Sequence, residues 1–227
     1  MLSINNYKKE IQTKTINSIP KEYFDNYFNS FINSYFEIKD IVSKKQKILD
    51  VGCGGGMLVN YLDINGYDIE GFDNYLYNPH TKSINSVINQ KNLVQNADIK
   101  SFKSTKKFDV IFMSNVVEHL YEWKKDLEYV KNFMTPDGKI IFLLPNYNFP
   151  IEFHFMIPII INKKITYKIF KKRIENFEKV NNRFGIWDSL NFIKPIDIEL
   201  FFSKESYKVT YDKNYFERLL LRLIENA

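Results

Sequence analysis

An α/β fold with a doubly wound, mostly parallel sheet is predicted by three observations in this 227-residue chain. From Lys47 onward, short apolar runs alternate with amphipathic stretches, which is the pattern of strands joined by crossover helices. The first run, Ile48-Leu49 with Val51, passes straight into Gly52-Cys53-Gly54-Gly55-Gly56, so a buried strand turns tightly into a helix. Later runs end in polar residues, at Phe72-Asp73 and at Met113-Ser114-Asn115, and the carboxyl ends of parallel strands are where an open sheet holds its ligands.

Length and a hydrophobic content of 44% suffice to bury one full core. The expected division is a helical cap over 1–46, a cofactor-binding core over 47–146, an insertion over 147–194, and the end of the sheet with a last helix over 195–227. Cys53 is the only cysteine, so there is no disulfide framework and a reducing, cytoplasmic setting is the default. No apolar run approaches the roughly 20 residues that span a bilayer, and no charged segment with an apolar core opens the chain. A soluble protein is expected. The formal charge of +5 and pI near 9.0 admit an anionic partner, but Lys, Asn, Ile, Phe and Tyr abound throughout, so charge alone excludes little.

The elements follow in order. Pro20-Lys21-Glu22 starts a helix, and Tyr23, Phe24, Tyr27, Phe28, Phe31, Ile32 and Tyr35 recur at helical spacing. One helix is expected over 21–34 and a shorter one over 36–43, with the aromatic stripe read as core in preference to a cover over a substrate mouth. A helix over 57–65 stops at Gly66, which suits a C-terminal cap. Strands are expected over 67–72, 92–95 and 108–113, with helices over 81–90 and 122–134. Met134-Thr135-Pro136-Asp137-Gly138 reads as a turn before a buried fifth strand over 139–144. Pro195 starts a short helix to 203, residues 207–211 form a sixth strand, and 215–224 a closing helix.

Glycine at 52, 54 and 56 lets the chain turn with positive φ and brings bare amides to a ligand. A dinucleotide fingerprint beginning at Gly52 would need a glycine at 57, where Met57 stands. The pattern is instead Asp50-x-Gly52-x-Gly54-x-Gly56. Asp73 closes the next strand, the position at which doubly wound folds hold ribose hydroxyls with a carboxylate.

This D-x-G-x-G-x-G form, with Asn96-Ala97-Asp98-Ile99 and the Asn115-Val116-Val117-Glu118-His119-Leu120 segment after the fourth strand, resembles the class I S-adenosylmethionine-dependent methyltransferases in their small-molecule branch. The resemblance covers about residues 40–146. It implies a Rossmann-like, doubly wound, mostly parallel sheet with N-terminal helices and a lid insertion after the fifth strand. It also implies methyl transfer from S-adenosylmethionine, leaving S-adenosylhomocysteine. The cofactor-binding residues it implies are Asp50, Gly52, Cys53, Gly54 and Gly56 in the loop, and Asp73 with Asn74 at the ribose. Asp98 is placed at the adenine amine, Ile99 against its ring, and Asn115 and Val116 at the strand end; Cys53 itself reads as a small filler. The family normally ends in an antiparallel seventh strand. None is legible after Leu223, so either it is lacking or the chain is cut short.

His119 is the first candidate for a general base and His154 the second; in the competing reading His119 packs the helix and Glu118, the other catalytic candidate, bonds a loop amide. Some quinone-pathway relatives use an acid, an acid and a histidine here as a metal site. Asn115 stands where the first acid would be, so no metal is expected. Ser114-Asn115-Val116-Val117 departs from the proline-rich element of DNA-adenine enzymes, so no DNA partner is expected. Residues 148–183 read as a lid or pocket wall. Glu152 and His154 are its polar contacts, and Lys163, Lys164, Lys171, Lys172 and Arg173 either receive an anionic group or form a solvated helix face. Trp187-Asp188-Ser189-Leu190 is pocket or core. The expected reaction is O-methylation of a small-molecule acceptor, with an anionic group among its options. The insertion resembles uncharacterised methyltransferases associated with bacterial surface-polysaccharide synthesis, which points to a sugar or nucleotide-linked sugar. An RNA methyltransferase and a non-catalytic cofactor-binding protein are the alternatives; the oligomeric state is open, a homodimer included.

Overall fold

A computed structural model describes residues 2–76, 79–205 and 207–212. It divides into two units, residues 1–192 and 193–227. In the first unit β1 (Lys47–Val51), β2 (Asp68–Asp73), β3 (Val94–Asn96), β4 (Phe108–Ser114) and β5 (Met134–Leu143) form one sheet in the order β3-β2-β1-β4-β5. Every pairing in it is parallel. The chain winds outward both ways from β1, so the switch point lies between β1 and β4, where such sheets open a crevice. Ile48, Leu49, Val110, Ile111, Phe112 and Met113 are fully buried; unbroken apolar strands are what a sheet covered on both faces requires.

The strands were legible, but two details of the sheet differ from expectation. The turn expected over 134–138 belongs to β5: Phe108 pairs with Met134 and Val110 with Lys139, so the intervening residues bulge out of register. The apolar middle of β5 is half-buried rather than buried, because β5 is the last strand of the sheet among the described residues.

Helices α1 (Ile4–Thr15), α2 (Lys21–Ile38), α3 (Met57–Ile64), α4 (Pro79–Ile88) and α5 (Trp123–Lys131) complete the layers. Sequence reading missed α1. Its signals were present: Ser3 Oγ accepts from the Asn6 N–H as an N-cap, and Tyr7, Ile11 and Thr15 recur on one buried face. Low hydrophobicity elsewhere hid them. No glycine or proline interrupts α2, so it takes in the start of the separate helix expected over 36–43. Most of the aromatic stripe is core: Phe24, Phe28 and Phe31 are buried, whereas Tyr27 is half-buried, and the Tyr7 ring meets Phe31 and Tyr61 at 5.4 and 5.0 Å.

Gly71 shows how tightly β2 approaches the glycine loop. A Cβ there would lie 2.8 Å from Val59 Cγ2, 3.0 Å from Cys53 Sγ and 3.1 Å from the Asp50 carbonyl. Gly71→Ala should therefore cost about 1–3 kcal/mol in a denaturant melt, and an unchanged midpoint would contradict this packing.

The insertion forms a small hairpin, β6 (Ile151–Glu152) with β7 (Ile157–Pro158), followed by α6 (Lys163–Val180) and α7 (Ile186–Ser189). Phe155, Ile157, Ile174, Ile186, Trp187 and Leu190 give it an apolar core of its own. Trp187 is thus core rather than pocket.

The second unit contains α8 (Pro195–Ser203), as expected from Pro195. The sixth strand expected over 207–211 does not form; Tyr211 instead donates its hydroxyl to Glu199 Oε2 at 3.0 Å. The closing helix expected over 215–224 lies outside the described residues. Among the described residues no helix is long and apolar enough to cross a membrane.

Candidate functional site

The glycine loop leaves β1 with Gly52, Gly54 and Gly56 all in the left-handed region, at φ +68°, +56° and +77°. At Gly52 space demands glycine as well, since a Cβ would sit 2.4 Å from Val116 Cγ2. The loop is pinned to β2: the N–H groups of Gly52 and Cys53 donate to the Phe72 carbonyl at 2.9 and 3.1 Å. Asp73 closes it from the far side. Its Oδ2 accepts from the Gly54 N–H at 2.9 Å, and its Oδ1 from the Tyr75 N–H at 2.6 Å. Burial raises the Asp73 pKa against these two bonds, and burial with the nearby Asp73 charge raises that of Asp50 well above the ordinary value. Two carboxylates with raised pKa values favour a cationic or hydroxyl-rich neighbour.

Above the loop opens a cleft of about 440 Å³. Gly52, Gly54, Asp73, Asn74, Asp98, Ile99, Asn115, Val116 and His119 line it, so most of the sequence-expected positions are brought together. Asp50, Cys53 and Gly56 are not in the lining. Asp50 is buried at the end of β1, Cys53 Sγ packs toward Gly71, and Gly56 approaches Val94 as the N-cap of α3. Asn74 Oδ1 accepts from the Leu76 N–H. Asp98 Oδ1 accepts from the N–H groups of Lys100 and Ser101, and the Ser101 bonds hold its pKa below the usual range. The turn-forming readings of both residues thus coexist with a place in the cleft. Tyr27, Tyr75, Thr81 and Arg183 also line it. Tyr27 was visible in the aromatic stripe, though assigned to core; nothing local marked Arg183.

Beside the cleft lies a polar cluster assembled from two distant segments. Val117–His119 is a single 3₁₀ turn after β4. Glu118 is fully buried, neither carboxylate oxygen has a hydrogen-bond partner among the described residues, and burial lifts its pKa to about 7. Its expected bond to a loop amide is therefore not made by the side chain. The backbone carbonyl of Glu118 instead accepts from the Asn191 N–H at 2.6 Å, which ties the end of the insertion to this turn. His119 Nδ1 lies 2.8 Å from Ser189 Oγ, whose own hydroxyl donates to the Ile186 carbonyl at 2.7 Å. Nδ1 is thus the donor and Nε2 carries the lone pair. Burial, helped by the charges of His154 and Arg183, lowers the His119 pKa to about 3.

His154 is fixed in the same sense. Its Nδ1 lies 2.7 Å from Glu152 Oε1, and Glu152 also accepts from the Phe155 N–H at 2.8 Å. Burial opposes the Glu152 charge, but these bonds outweigh it and keep the pKa below the ordinary value. The His119 and His154 rings meet edge to face, 5.1 Å between centroids. Of the three catalytic candidates only His119 reaches the cleft lining; Glu118 and His154 stand behind it.

Donor atoms of Glu118, His119 and His154 all lie within 4.8 Å of one another. With the Glu118 oxygens unpartnered, one carboxylate and two imidazoles fit a divalent ion of borderline softness. The third donor comes from the insertion. The sequence argument against a metal considered position 115 alone, and Asn115 lies in the cleft lining.

The basic residues of the insertion do not receive a cleft ligand. Lys163 Nζ donates to the carbonyls of Asp188 and Leu190 at 2.9 and 2.8 Å, and Arg173 to that of Met156 at 3.0 Å. Lys164, Lys171 and Lys172 are exposed, and none of the five lines the cleft.

A left-handed glycine loop clasped by a carboxylate at the switch point of a parallel sheet places this chain among doubly wound domains that seat a ligand at their strand ends. Residues 23–207, more than half of the chain, match the model of a methyltransferase domain family. The chain belongs to that family. An uncharacterised protein of Mycobacterium tuberculosis is 28% identical over 191 residues, covering 79% of this chain and 62% of that protein. The chain thus spans about 62% of the length of the first curated relatives it matches. A ubiquinone biosynthesis O-methyltransferase of Glaesserella parasuis is 26% identical over 170 residues, 72% of this chain and 65% of the relative. Among solved structures, the plantazolicin methyltransferase BpumL in complex with a pentazolic analogue and SAH shares the fold, with a TM-score of 0.52 at 14% identity, over 99% of this chain and 91% of that one.

Proposed function

We propose that this chain is an S-adenosylmethionine-dependent methyltransferase acting on an oxygen of a small molecule. The observation that carries the reading is the Gly52–Gly56 loop closed on the Asp73 carboxylate at the floor of the cleft. Amides of the loop and Asp73 suit the ribose and amino-acid portions of that cofactor. A pyrophosphate, by contrast, would meet the Asp73 carboxylate in the cleft lining, where like charge repels it. The names of the ubiquinone-pathway relatives support oxygen as the acceptor atom. A hydroxylated molecule is the acceptor class, with a sugar or nucleotide-linked sugar put first.

The chemistry asks little of the protein beyond alignment. The acceptor oxygen displaces the neutral thioether of S-adenosylhomocysteine from the methyl carbon, and its proton leaves to a base. Holding the two reactants in line supplies several kcal/mol of the barrier. His119 is the base at the cleft, its Nε2 kept as acceptor by Ser189; with its pKa lowered to about 3 by burial, it takes the proton as the acceptor oxygen becomes oxonium-like on gaining the methyl. Once it is protonated, the Glu152 charge behind it stabilises the imidazolium.

The unpartnered Glu118 oxygens favour a second reading, in which Glu118, His119 and His154 hold a divalent cation. Such an ion supplies Lewis acidity that makes an acceptor hydroxyl easier to ionise. Exhaustive chelation separates the two: activity that survives it supports His119 as base, and activity restored by one added metal supports the ion.

The basic test is calorimetric. S-adenosylhomocysteine should bind with micromolar affinity and NAD should not; binding of NAD alone would sink the proposal.

A further inference from the structure

Arg183 lines the cleft, and the proposed methyl transfer gives it no role. Its position is set with unusual care. At the end of α6, Asn182 adopts φ +50°. The Arg183 N–H donates to the Glu178 carbonyl at 2.9 Å, and the Asn182 N–H to that of Lys179 at 3.3 Å. These are the two bonds of a Schellman motif. Glu178 then accepts the Trp187 N–H at 2.8 Å, and Gly185, at φ +82°, starts α7. The loop is thus locked on both sides of Arg183, and the side chain it presents lines the cleft.

What that side chain meets is incomplete. Arg183 Nε is buried and has no hydrogen-bond partner among the described residues, and the same is true of the hydroxyls of Tyr27 and Tyr75, which line the same cleft. Burial pushes the guanidinium pKa down, with only the Tyr27 hydroxyl acting against it. The Arg183 charge is felt in turn at Tyr27 on α2 and at His119. A desolvated guanidinium with no ion pair among the described residues is costly unless something supplies a counter-charge. Its planar fork matches a carboxylate or phosphate by two parallel bonds.

We propose that Arg183, together with the Tyr27 hydroxyl, forms a carboxylate-binding subsite in the cleft wall. The subsite deepens the methyltransferase reading and rests on it for the identity of one of its two sources: the amino-acid tail of the cofactor, or an anionic group on the acceptor. Of the basic residues in the insertion, Arg183 lines the cleft and Lys163, Lys164, Lys171, Lys172 and Arg173 do not.

The test uses the full chain with Arg183→Gln and Tyr27→Phe. Only the backbone of Arg183 serves the Schellman motif, so the variant keeps the fold, which a thermal melt checks. Each protein is titrated with S-adenosylhomocysteine and with 5′-methylthioadenosine, the same nucleoside without the amino-acid tail. Then, with S-adenosylhomocysteine present, 4-fluorobenzoate and its neutral amide are followed by fluorine NMR. If the cofactor tail is the occupant, Arg183→Gln weakens S-adenosylhomocysteine by about tenfold or more and leaves methylthioadenosine unchanged. If the acceptor supplies the anion, both nucleosides bind as before, but 4-fluorobenzoate binding, seen in the wild type and absent for the amide, is lost. Tyr27→Phe should show a smaller loss in the same arm. Unchanged affinities in every arm overturn the subsite. Should neither nucleoside bind the wild type, the methyltransferase reading fails, and the benzoate arm, repeated without nucleoside, still decides the anion site.

Discussion

Replacing Asp73 with alanine should weaken S-adenosylhomocysteine by about 100-fold or more in calorimetry, because one carboxylate does two jobs. It holds the glycine loop through the Gly54 N–H and the following loop through the Tyr75 N–H, and it is the acceptor available to ribose hydroxyls. Asp73→Asn keeps the size but turns one acceptor into a donor, and should lose nearly as much. The pH dependence has a definite sign. Burial raises the Asp73 pKa above its ordinary value of 3.8, and the ligand selects the ionised form. Affinity should therefore fall on acidification, beginning at a higher pH than an ordinary aspartate would dictate. Full affinity in Asp73→Ala would remove the assignment of this cleft to the cofactor.

His119→Ala should lower kcat by about 100- to 10,000-fold, the usual contribution of a positioned base, on whichever hydroxylated acceptor gives turnover in a panel. S-adenosylhomocysteine affinity should hold, since the role proposed for the ring is toward the acceptor. Ser189→Ala gives a graded companion: the imidazole stays, but the hydroxyl that fixes its tautomer goes, so a smaller loss in kcat at similar KM is expected. A His119→Ala enzyme with undiminished kcat would hand the proton to another group.

The cleft residues proposed for the cofactor were largely legible in the sequence because they are local. Four glycines, Asp73 at the end of β2 and the Asn115-Val116 pair after β4 each sit at a strand terminus, and the topology of a parallel sheet gathers strand termini at one edge. The acceptor end was legible only in part. His119 and His154 were recognisable as titratable groups, but the Ser189 and Glu152 bonds that set their tautomers depend on how residues 147–192 fold over the core. Arg183 was invisible for a related reason: its place follows from a C-terminal helix motif built on Asn182, a residue with no apolar periodicity to announce it. The lysines of α6 misled by number, since a count of charges says nothing about which face of a helix they occupy. α1 was overlooked because its buried stripe is only Tyr7, Ile11 and Thr15.

The bond from Asn191 to the carbonyl of Glu118 marks a seam. On one side stand residues of β1 to β4, which would handle the methyl donor; on the other stands a single contiguous stretch that brings Glu152, His154, Arg183 and Ser189. Selection can retarget such a catalyst by rewriting that stretch of gene while the donor-handling half is inherited unaltered. Homologues that agree across residues 47–116 yet diverge over 147–192 are the trace such a history would leave.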